Sequence, residues 1–246
     1  MDFLSVIGLF VAFTAIILGQ YLEGGSLMML VNGPALIIVA GGTLGATMVQ
    51  SPWPVFERAT RMISWIVVPP RWSLEETMAD IVSWCRLARR EGLLGLENVV
   101  ESVPYDFARK GLQLLIDGND PAVIRETLEL DCHTREQRDL LAARVYESMG
   151  GYSPTLGILG AVIGLIHVMH NLSDPALLGE GVGVAFVATV YGVALANLVL
   201  IPAGTKLKAL VKEESRLQEM IQIGIVAIAE GENPRVVESR LQGLIS

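Results

Sequence analysis

The sequence predicts an all-α integral membrane protein. It has four transmembrane helices, a large helical cytoplasmic insert between the second and third, and a helical cytoplasmic C-terminal tail. The 246 residues are 52% hydrophobic and only 18% charged, a composition that is unusual for a soluble chain. All 18 Lys and Arg residues lie in two stretches, Arg58 to Arg144 and Lys206 to Arg240. Basic residues beside membrane spans stay on the cytoplasmic side, so both stretches are predicted to lie inside.

Four apolar segments are long enough to cross a bilayer. The first pair runs from Phe3 to Gln20 and from Met29 to Gln50, and the second from Pro154 to Asn171 and from Val182 to Ile201. With a 1.5 Å rise per residue and modest tilt, each helix covers roughly 30 Å of hydrocarbon. The joint inside each pair carries no basic residue, which suits the outer face; the joints are Glu23-Gly24-Gly25 and Ser173-Asp174-Pro175.

An even number of spans predicts that both termini are cytoplasmic. The chain then divides into two spans in residues 1–52, the insert in 53–150, two spans in 151–205 and the tail in 206–246. Arg71 is among the basic residues that follow the second span. The N-terminus lacks a basic region and a small-residue cleavage pattern, so the first segment is predicted to remain as a span rather than a cleaved signal peptide.

Capping signals predict helices throughout the insert and the tail. Ser73 to Glu76 fits a capping box, and Asp120-Pro121 supplies an N-cap followed by proline at the first helical position. The predicted helices run from the capping box to Gly92, from Tyr105 to Asp117, from Pro121 toward the membrane, from Lys206 to Glu230, and onward from Asn233-Pro234.

Charge and motifs exclude several functional classes. The net charge of −8 gives no basic patch for nucleic acid. P-loop, nucleophile-elbow, HExxH and CxxC motifs are absent, so we predict neither an enzyme nor a cofactor. Cys85 and Cys132 fall on the predicted cytoplasmic side, where thiols stay reduced, so no structural disulfide is expected.

Small residues form one face on each of the last two spans. The third span carries Gly157, Gly160 and Gly164 with Ala161 beside them; the fourth carries Ala185, Thr189, Gly192 and Ala196. Small residues let helices approach closely in lipid. The two faces either pack against each other within the chain or line a site for a helix of another protein, and spacing alone leaves both open.

Polar groups in these spans are few. The Thr189 hydroxyl either bonds back to its own helix or faces such a site, and Tyr191 is expected to bond neighbouring helices. His167 and His170 share a face near Asp174, a weak metal signal that also fits interfacial hydrogen bonding. Ion passage through a bilayer usually relies on a titratable group at depth, and these spans have none. If the protein conducts ions, a partner must therefore supply that group.

Two prolines and two charges have structural as well as functional interpretations. Pro154 and Pro202 stand at the start and end of predicted spans, where proline ordinarily starts or ends a helix. Arg89 and Glu97 flank Gly92 in a charged, hairpin-like element of the insert, and such charges usually just face water.

Three motifs in order, with the span order and the long charged insert, carry a family resemblance. They are Arg89-Arg-Glu-Gly-Leu-Leu-Gly-Leu-Glu97, Pro154-Thr-Leu-Gly-Ile-Leu-Gly-Ala-Val-Ile-Gly-Leu-Ile-His167 and Ala188-Thr-Val-Tyr-Gly-Val-Ala-Leu-Ala-Asn-Leu-Val-Leu-Ile-Pro202. Essentially the whole chain resembles the MotA/PomA stator proteins of the bacterial flagellar motor.

The resemblance implies a stator subunit in the bacterial inner membrane. In that family the chain forms a homo-oligomeric ring, expected to be pentameric, around a dimer of a MotB-type protein. The partner's single transmembrane helix carries an Asp that is protonated and released as ions flow inward. The family's third and fourth spans surround that helix, which favours the pore interpretation of their small faces.

The resemblance also implies roles for single residues. Thr189 matches a pore-lining hydroxyl, Pro154 and Pro202 match prolines that couple ion flow to movement, and Arg89 and Glu97 match charges that engage the rotor protein FliG. The predicted pore-lining set is Gly157, Gly160, Ala161, Gly164, Ala185, Thr189, Tyr191 and Gly192.

The residue at position 161 bears on the ion. Sodium-driven relatives tend to have a second Thr where this chain has Ala161. Sodium needs oxygen ligands at close range, whereas a proton needs only the partner's carboxylate, so we predict a proton-driven channel.

Two alternatives come from other classes. One is an energiser of the ExbB/TolQ type, but those relatives typically have three spans with the insert after the first, whereas two spans precede Arg58 here. The other is a self-sufficient transporter or a membrane enzyme, which the lack of intramembrane charge and of a catalytic constellation disfavours.

Overall fold

The computed structural model describes residues 3–70, 73–170 and 175–245, and every regular element in these ranges is helical. The chain divides into two compact units. We call Met1–Pro69 with Asp139–Ala209 the span unit, and Pro70–Arg138 with Leu210–Ser246 the insert unit. Four helical segments are long and apolar enough to cross a membrane, and the helices that supply them are Phe3–Leu22, Leu27–Gln50, Pro121–His170 and Gly181–Ala229.

The span unit begins with α1 (Phe3–Leu22), which has no buried residue. The second apolar segment is not one regular helix, since it contains a 3₁₀ turn and a π-helical turn. This segment consists of the 3₁₀ turn Leu27–Leu30, α2 (Gly33–Leu36), the π turn Ile37–Gly41 and α3 (Gly42–Gln50). Two short helices follow it, α4 (Trp53–Met62) and α5 (Ser64–Val67).

The insert unit holds the other short helices, which are α6 (Leu74–Glu91), a 3₁₀ turn (Leu93–Leu96), α7 (Glu97–Ser102), α8 (Asp106–Ile116) and, near the C-terminus, α12 (Pro234–Gln242). Two long helices contribute to both units. They are α9 (Pro121–His170) and α11 (Ile201–Ala229), which follows α10 (Pro175–Ala194) and a second π turn (Leu195–Leu200).

Helix starts and ends in the insert unit follow the capping signals. The Ser73 hydroxyl accepts from the Glu76 amide at 3.2 Å, and the Asp120 carboxylate accepts from the Ala122 amide at 2.9 Å. Gly92 and Gly118 adopt φ of +77° and +74°, which glycine reaches without strain, immediately after α6 and shortly after α8. Asn233 caps α12 by accepting from the Arg235 amide at 3.0 Å.

The two prolines do not stand at the helix positions that the sequence predicted. Pro154 lies inside α9, which also runs through Gly150 and Gly151. Pro202 stands at a helix start and not at a helix end, since it is the second residue of α11, which begins where a π turn stops. Proline weakens a helix by removing one hydrogen bond, but packing against neighbouring helices can outweigh that loss. Arg71 and the Ser173-Asp174 part of the predicted outer joint lie outside the described residues.

Candidate functional site

The contact between α9 and α10 is made of glycines. A Cβ atom at Gly157 would lie 2.9 Å from the Ala188 carbonyl oxygen, and one at Gly164 would lie 2.9 Å from the Ala185 nitrogen. A Cβ atom at Gly192 would lie 2.6 Å from the Ser153 carbonyl oxygen and 3.0 Å from the Gly157 Cα. The two backbones therefore touch, and any larger residue at these positions would push the helices apart.

The remaining small residues lie in or beside this contact. A Cβ atom at Gly160 would lie 2.8 Å from the Ala188 Cβ and 3.4 Å from Ile38 of the second apolar segment. Ala185 is buried, whereas Ala161 is half-buried. The predicted glycine face thus packs within the chain, and Ala161 retains partial exposure at its margin.

Thr189 is half-buried, and its hydroxyl donates to the Ala185 carbonyl of its own helix at 3.3 Å. This back-bond is the usual arrangement for threonine in a membrane helix. It uses the hydroxyl hydrogen and leaves the oxygen lone pairs available as acceptors.

Tyr191 ties α10 to the start of the second apolar segment. Its hydroxyl donates to the Leu30 carbonyl and accepts from the Asn32 amide at 3.1 Å. Asn32 in turn caps α2 through its side-chain oxygen, which accepts from the Ala35 amide at 3.0 Å. Both polar functions of the tyrosine hydroxyl are therefore engaged within the chain.

Pro154 is held at the same helix contact. A Cβ atom at Gly192 would lie 3.2 Å from the Pro154 Cα, and the buried hydroxyl of Ser153 donates to the Gly192 carbonyl at 3.0 Å. Proline has no amide hydrogen, so α9 lacks its usual hydrogen bond to Gly150 at this point. Sequence reasoning missed Ser153, although a serine directly before an intramembrane proline was a usable signal.

Pro202 follows the π turn Leu195–Leu200. A proline ring conflicts with the carbonyl four residues earlier, which here belongs to Leu198 inside that turn. The wider turn is a common local adjustment, and π turns occur frequently at functional sites. The π turn of the fourth apolar segment therefore ends at Leu200, and Pro202 lies just beyond it in α11.

Arg89 and Glu97 lie on the insert unit and are exposed. Arg89 is in the last turn of α6, and Glu97 begins α7 after the left-handed Gly92 and a 3₁₀ turn. Among the described residues neither side chain forms an ion pair, whereas the adjacent Arg90 pairs with Glu91 at 2.5 Å. Both charges are therefore presented to solvent from one compact bend.

Two charged contacts of the span unit were missed by sequence reasoning. Arg58 of α4 forms a bidentate pair with Asp139 of α9, and Lys208 of α11 pairs with Glu147 of α9. Asp139 shares its buried helix face with Ala142, Ala143 and Tyr146, at i+3, i+4 and i+7. An acid inside an otherwise apolar stripe was the available signal.

The described residues contain no group of three His, Cys, Asp or Glu side chains that could hold a metal ion. His167 and His170 are exposed near the end of α9, and Asp174, the third member of the weak metal signal, lies outside the described residues.

Comparisons with known proteins give a consistent result. Residues 100–220 match the MotA/TolQ/ExbB proton channel family, and residues 6–92 match the Motility protein A N-terminal family. Motility protein A of Bacillus subtilis is 34% identical over 98% of this chain and 90% of its own length.

Solved structures agree with the sequence matches. The chain superposes on a chain of the C. jejuni MotAB structure with a TM-score of 0.94 and 30% identity, covering 100% of this chain and 96% of that one. For the flagellar MotAB stator complex of Bacillus subtilis the TM-score is 0.88 with 33% identity, covering 98% and 96%.

Proposed function

This chain belongs to the motility protein A family of flagellar stator subunits, and we propose that, with a MotB-type partner, it forms a proton channel whose inward ion flow produces torque on the rotor. It is a non-enzymatic, multi-pass protein of the inner membrane. One observation carries the channel proposal: the paired apolar segments 154–171 and 182–201 contain no Asp, Glu, Lys or Arg, and the two histidines, His167 and His170, lie at the end of α9 and not at depth. The group that binds the proton must therefore come from another polypeptide.

Four spans with both termini in the cytoplasm make up the proposed topology. Four apolar helical segments and the confinement of all 18 basic residues to two stretches support it. The cytoplasmic parts would be the insert of residues 53–150 and the tail of 206–246, and the pore spans would lie in 151–205.

The pore is proposed to form where α9 and α10 run side by side. Their glycine contacts, at Gly157, Gly164 and Gly192, keep the helices close and leave Ala161 and Thr189 half-buried at the margin. There the partner's helix would pack in a homo-oligomeric ring, with the Thr189 oxygen as an acceptor beside the partner's acid. Gly160, Ala185 and Tyr191 would support this wall from behind.

Coupling is proposed to use the two prolines. Protonating the partner's acid removes an intramembrane charge that costs several kcal/mol, which is enough to bias packed helices between two arrangements. Pro154 lacks a helix hydrogen bond and Pro202 follows a π turn, so α9 and α11 are expected to bend at these points. Movement would end at Arg89 and Glu97, which would engage FliG of the rotor.

The proton is the proposed ion because Ala161 offers no oxygen ligand. We expect swimming driven by this stator to follow the proton gradient and to be unaffected by external sodium. Swimming that scaled with sodium at a constant proton gradient would contradict this choice.

Co-expression with a MotB-type partner in a bacterium that lacks stators tests the function. We expect swimming with the intact partner and none when the partner's intramembrane Asp is replaced by Asn. Vesicles containing both proteins should take up protons, whereas vesicles containing this chain alone should not. Uptake by this chain alone would overturn the proposal.

Thr189 variants test the pore wall. Thr189→Val should lower proton uptake several-fold without loss of assembly, because the hydroxyl is bonded only to its own helix. Thr189→Ser keeps the oxygen and serves as the control. Equal uptake by both variants would remove Thr189 from the ion pathway.

A further inference from the structure

A partly buried ion pair joins α4 to α9 in the span unit. The Arg58 Nε and Nη2 atoms donate to the two carboxylate oxygens of Asp139 at 2.8 and 2.6 Å. The Asp139 side chain is only 4% exposed and that of Arg58 is 26% exposed. The Trp65 ring, in α5, lies 5.2 Å from the guanidinium carbon. Arginine's planar fork suits both the paired carboxylate and the flat ring.

A second polar tie joins the same two helices. The buried Tyr146 hydroxyl donates to the Ala59 carbonyl at 2.8 Å, and burial raises the pKa of Tyr146 to about 12, so the hydroxyl stays protonated. Asp139 and Tyr146 are seven residues apart and lie on one face of α9. Two turns of α9 are thereby fixed to α4, which directly follows the second apolar segment.

The position of the pair along the chain is informative. Asp139 is the first α9 residue of the span unit, and the preceding Arg138 belongs to the insert unit. At the next residue, α9 also contacts α11, because Glu147 pairs with Lys208. The two helices approach closely there, since a Cβ atom built at Gly204 of α11 would lie 3.2 Å from the Glu147 backbone nitrogen. Pro154 follows on the same helix. The pair therefore fixes α9 where the helix leaves the span unit.

Stability alone is a weak explanation for such a pair. Removing two charges from water offsets much of their attraction, so well-packed apolar residues of similar volume usually serve as well. What a bidentate pair adds is a defined orientation of one helix on another. A helix that must transmit movement needs such an anchor more than a static one does.

We propose that Arg58 and Asp139 are positioning residues that anchor α9 to α4, so that movement generated at the pore passes along α9 instead of being absorbed by slippage of the helix. This inference rests on the proposed ion-driven function. It predicts a specific defect when the anchor is weakened. Protons still flow through the assembled complex, but each proton yields less rotation.

Arg58→Lys is the main test, since lysine keeps the charge but loses the fork. The variant is co-expressed with its MotB-type partner. The measured quantity is rotation per proton, which is the rotation speed of tethered cells divided by the proton uptake of vesicles. Both values are first normalised to the amount of assembled complex. We expect uptake within about twofold of the unmodified complex and a fall in rotation per proton of about fivefold. The matched control is Arg61→Lys on the same helix, whose side chain is 68% exposed and pairs with Glu57, and it should change neither quantity.

Tyr146→Phe is the milder second variant, because it removes only the hydroxyl that donates to Ala59. It should lower rotation per proton in the same direction and to a smaller extent. If Arg58→Lys prevents assembly, this variant decides, and an unchanged ratio would overturn the proposal. Equal ratios for the two lysine variants would also overturn it, as would a parallel fall in uptake and rotation, which is expected of a merely structural pair.

The unmodified complex separates this inference from the proposed function. If it supports neither uptake nor rotation, the proposed function itself has failed. If it supports both and the ratio is insensitive to Arg58 and Tyr146, the function stands and only the anchor is wrong.

Discussion

The two units of this chain bury different kinds of residue. The insert unit has a core of large apolar side chains, with Phe107, Leu112, Ile124, Met220 and Ile225 all at 0% exposure. The span unit buries mainly alanine, glycine and threonine, while large apolar side chains such as Phe10, at 71%, and Phe186, at 71%, are exposed.

The difference reflects two driving forces. In water, burying large apolar surface is the dominant favourable term, so the insert unit gathers its largest side chains. Between lipid-exposed helices that term is absent, and close backbone approach with hydrogen bonds replaces it. The stability of the span unit is therefore expected to fall most when atoms are added at its helix contacts. The stability of the insert unit is expected to fall most when atoms are removed from its core.

The largest expected stability effect is in the insert unit. Phe107→Ala removes a fully buried ring of α8 and should lower the free energy of unfolding by about 3–5 kcal/mol. Thermal unfolding of the purified chain, followed by circular dichroism, measures the loss. Leu94→Ala, at a residue that is 68% exposed, is the control and should change little. Equal losses of stability for the two substitutions would contradict the conclusion that buried large side chains stabilise the insert unit.

Adding one carbon atom should have the next largest effect, in the span unit. Gly192→Ala places a Cβ 2.6 Å from the Ser153 carbonyl, against backbone that cannot yield, and should cost about 1–3 kcal/mol. Co-purification of the oligomer with its partner and the melting temperature report the change. Gly45→Ala is the matched control because nothing lies within 4 Å of its Cβ position. An oligomer that tolerates alanine at both positions would show that the α9–α10 contact is looser than described.

A smaller effect is expected from the hydrogen bond across that contact. Ser153→Ala removes a hydroxyl that donates to the Gly192 carbonyl at 3.0 Å, which should lower stability by about 0.6 kcal/mol, a typical value for such bonds in membrane proteins. Thr155→Ala is the control, because the Thr155 hydroxyl is exposed and bonds only within its own helix. Comparing melting temperatures of the two variants measures the bond, and a loss above about 2 kcal/mol would mean that Ser153 does more than join two helices.

The smallest stability effect is expected at the exposed bend of the insert unit. Reversing both charges, Arg89→Glu with Glu97→Lys, should leave the free energy of unfolding within about 0.5 kcal/mol and still abolish swimming if these residues engage the rotor. Arg216→Glu, an exposed charge on α11, is the motility control. Normal swimming of the double variant would exclude the rotor contact.

Local signals predicted the starts of α6, α9 and α12, whereas α7 was not predicted. The caps at Ser73, Asp120 and Asn233 depend on residues at most three positions apart, so the sequence contains all the information that they need. Pro154 was misplaced at a helix start because its local preference favours that position, whereas contact with Gly192 holds the continuous helix in place.

The candidate site was predictable in composition and not in arrangement. The small-residue faces were visible as periodic spacing, but spacing could not tell whether they pack within the chain or around a partner. In the structure the glycines contact the neighbouring helix, and Ala161 and Thr189 remain half-buried. The apolar stripe around Asp139 could indicate that this acid has a partner, but Arg58 is 81 positions away, so no local pattern could identify that partner.

Hydropathy and the distribution of basic residues determined the membrane class, the four candidate spans and their expected orientation, because partition between water and lipid depends on composition and local charge alone. Only the tertiary structure decided which glycines touch backbone, where the two π turns fall and which buried charges pair, because these features depend on atoms that are distant in sequence and close in space.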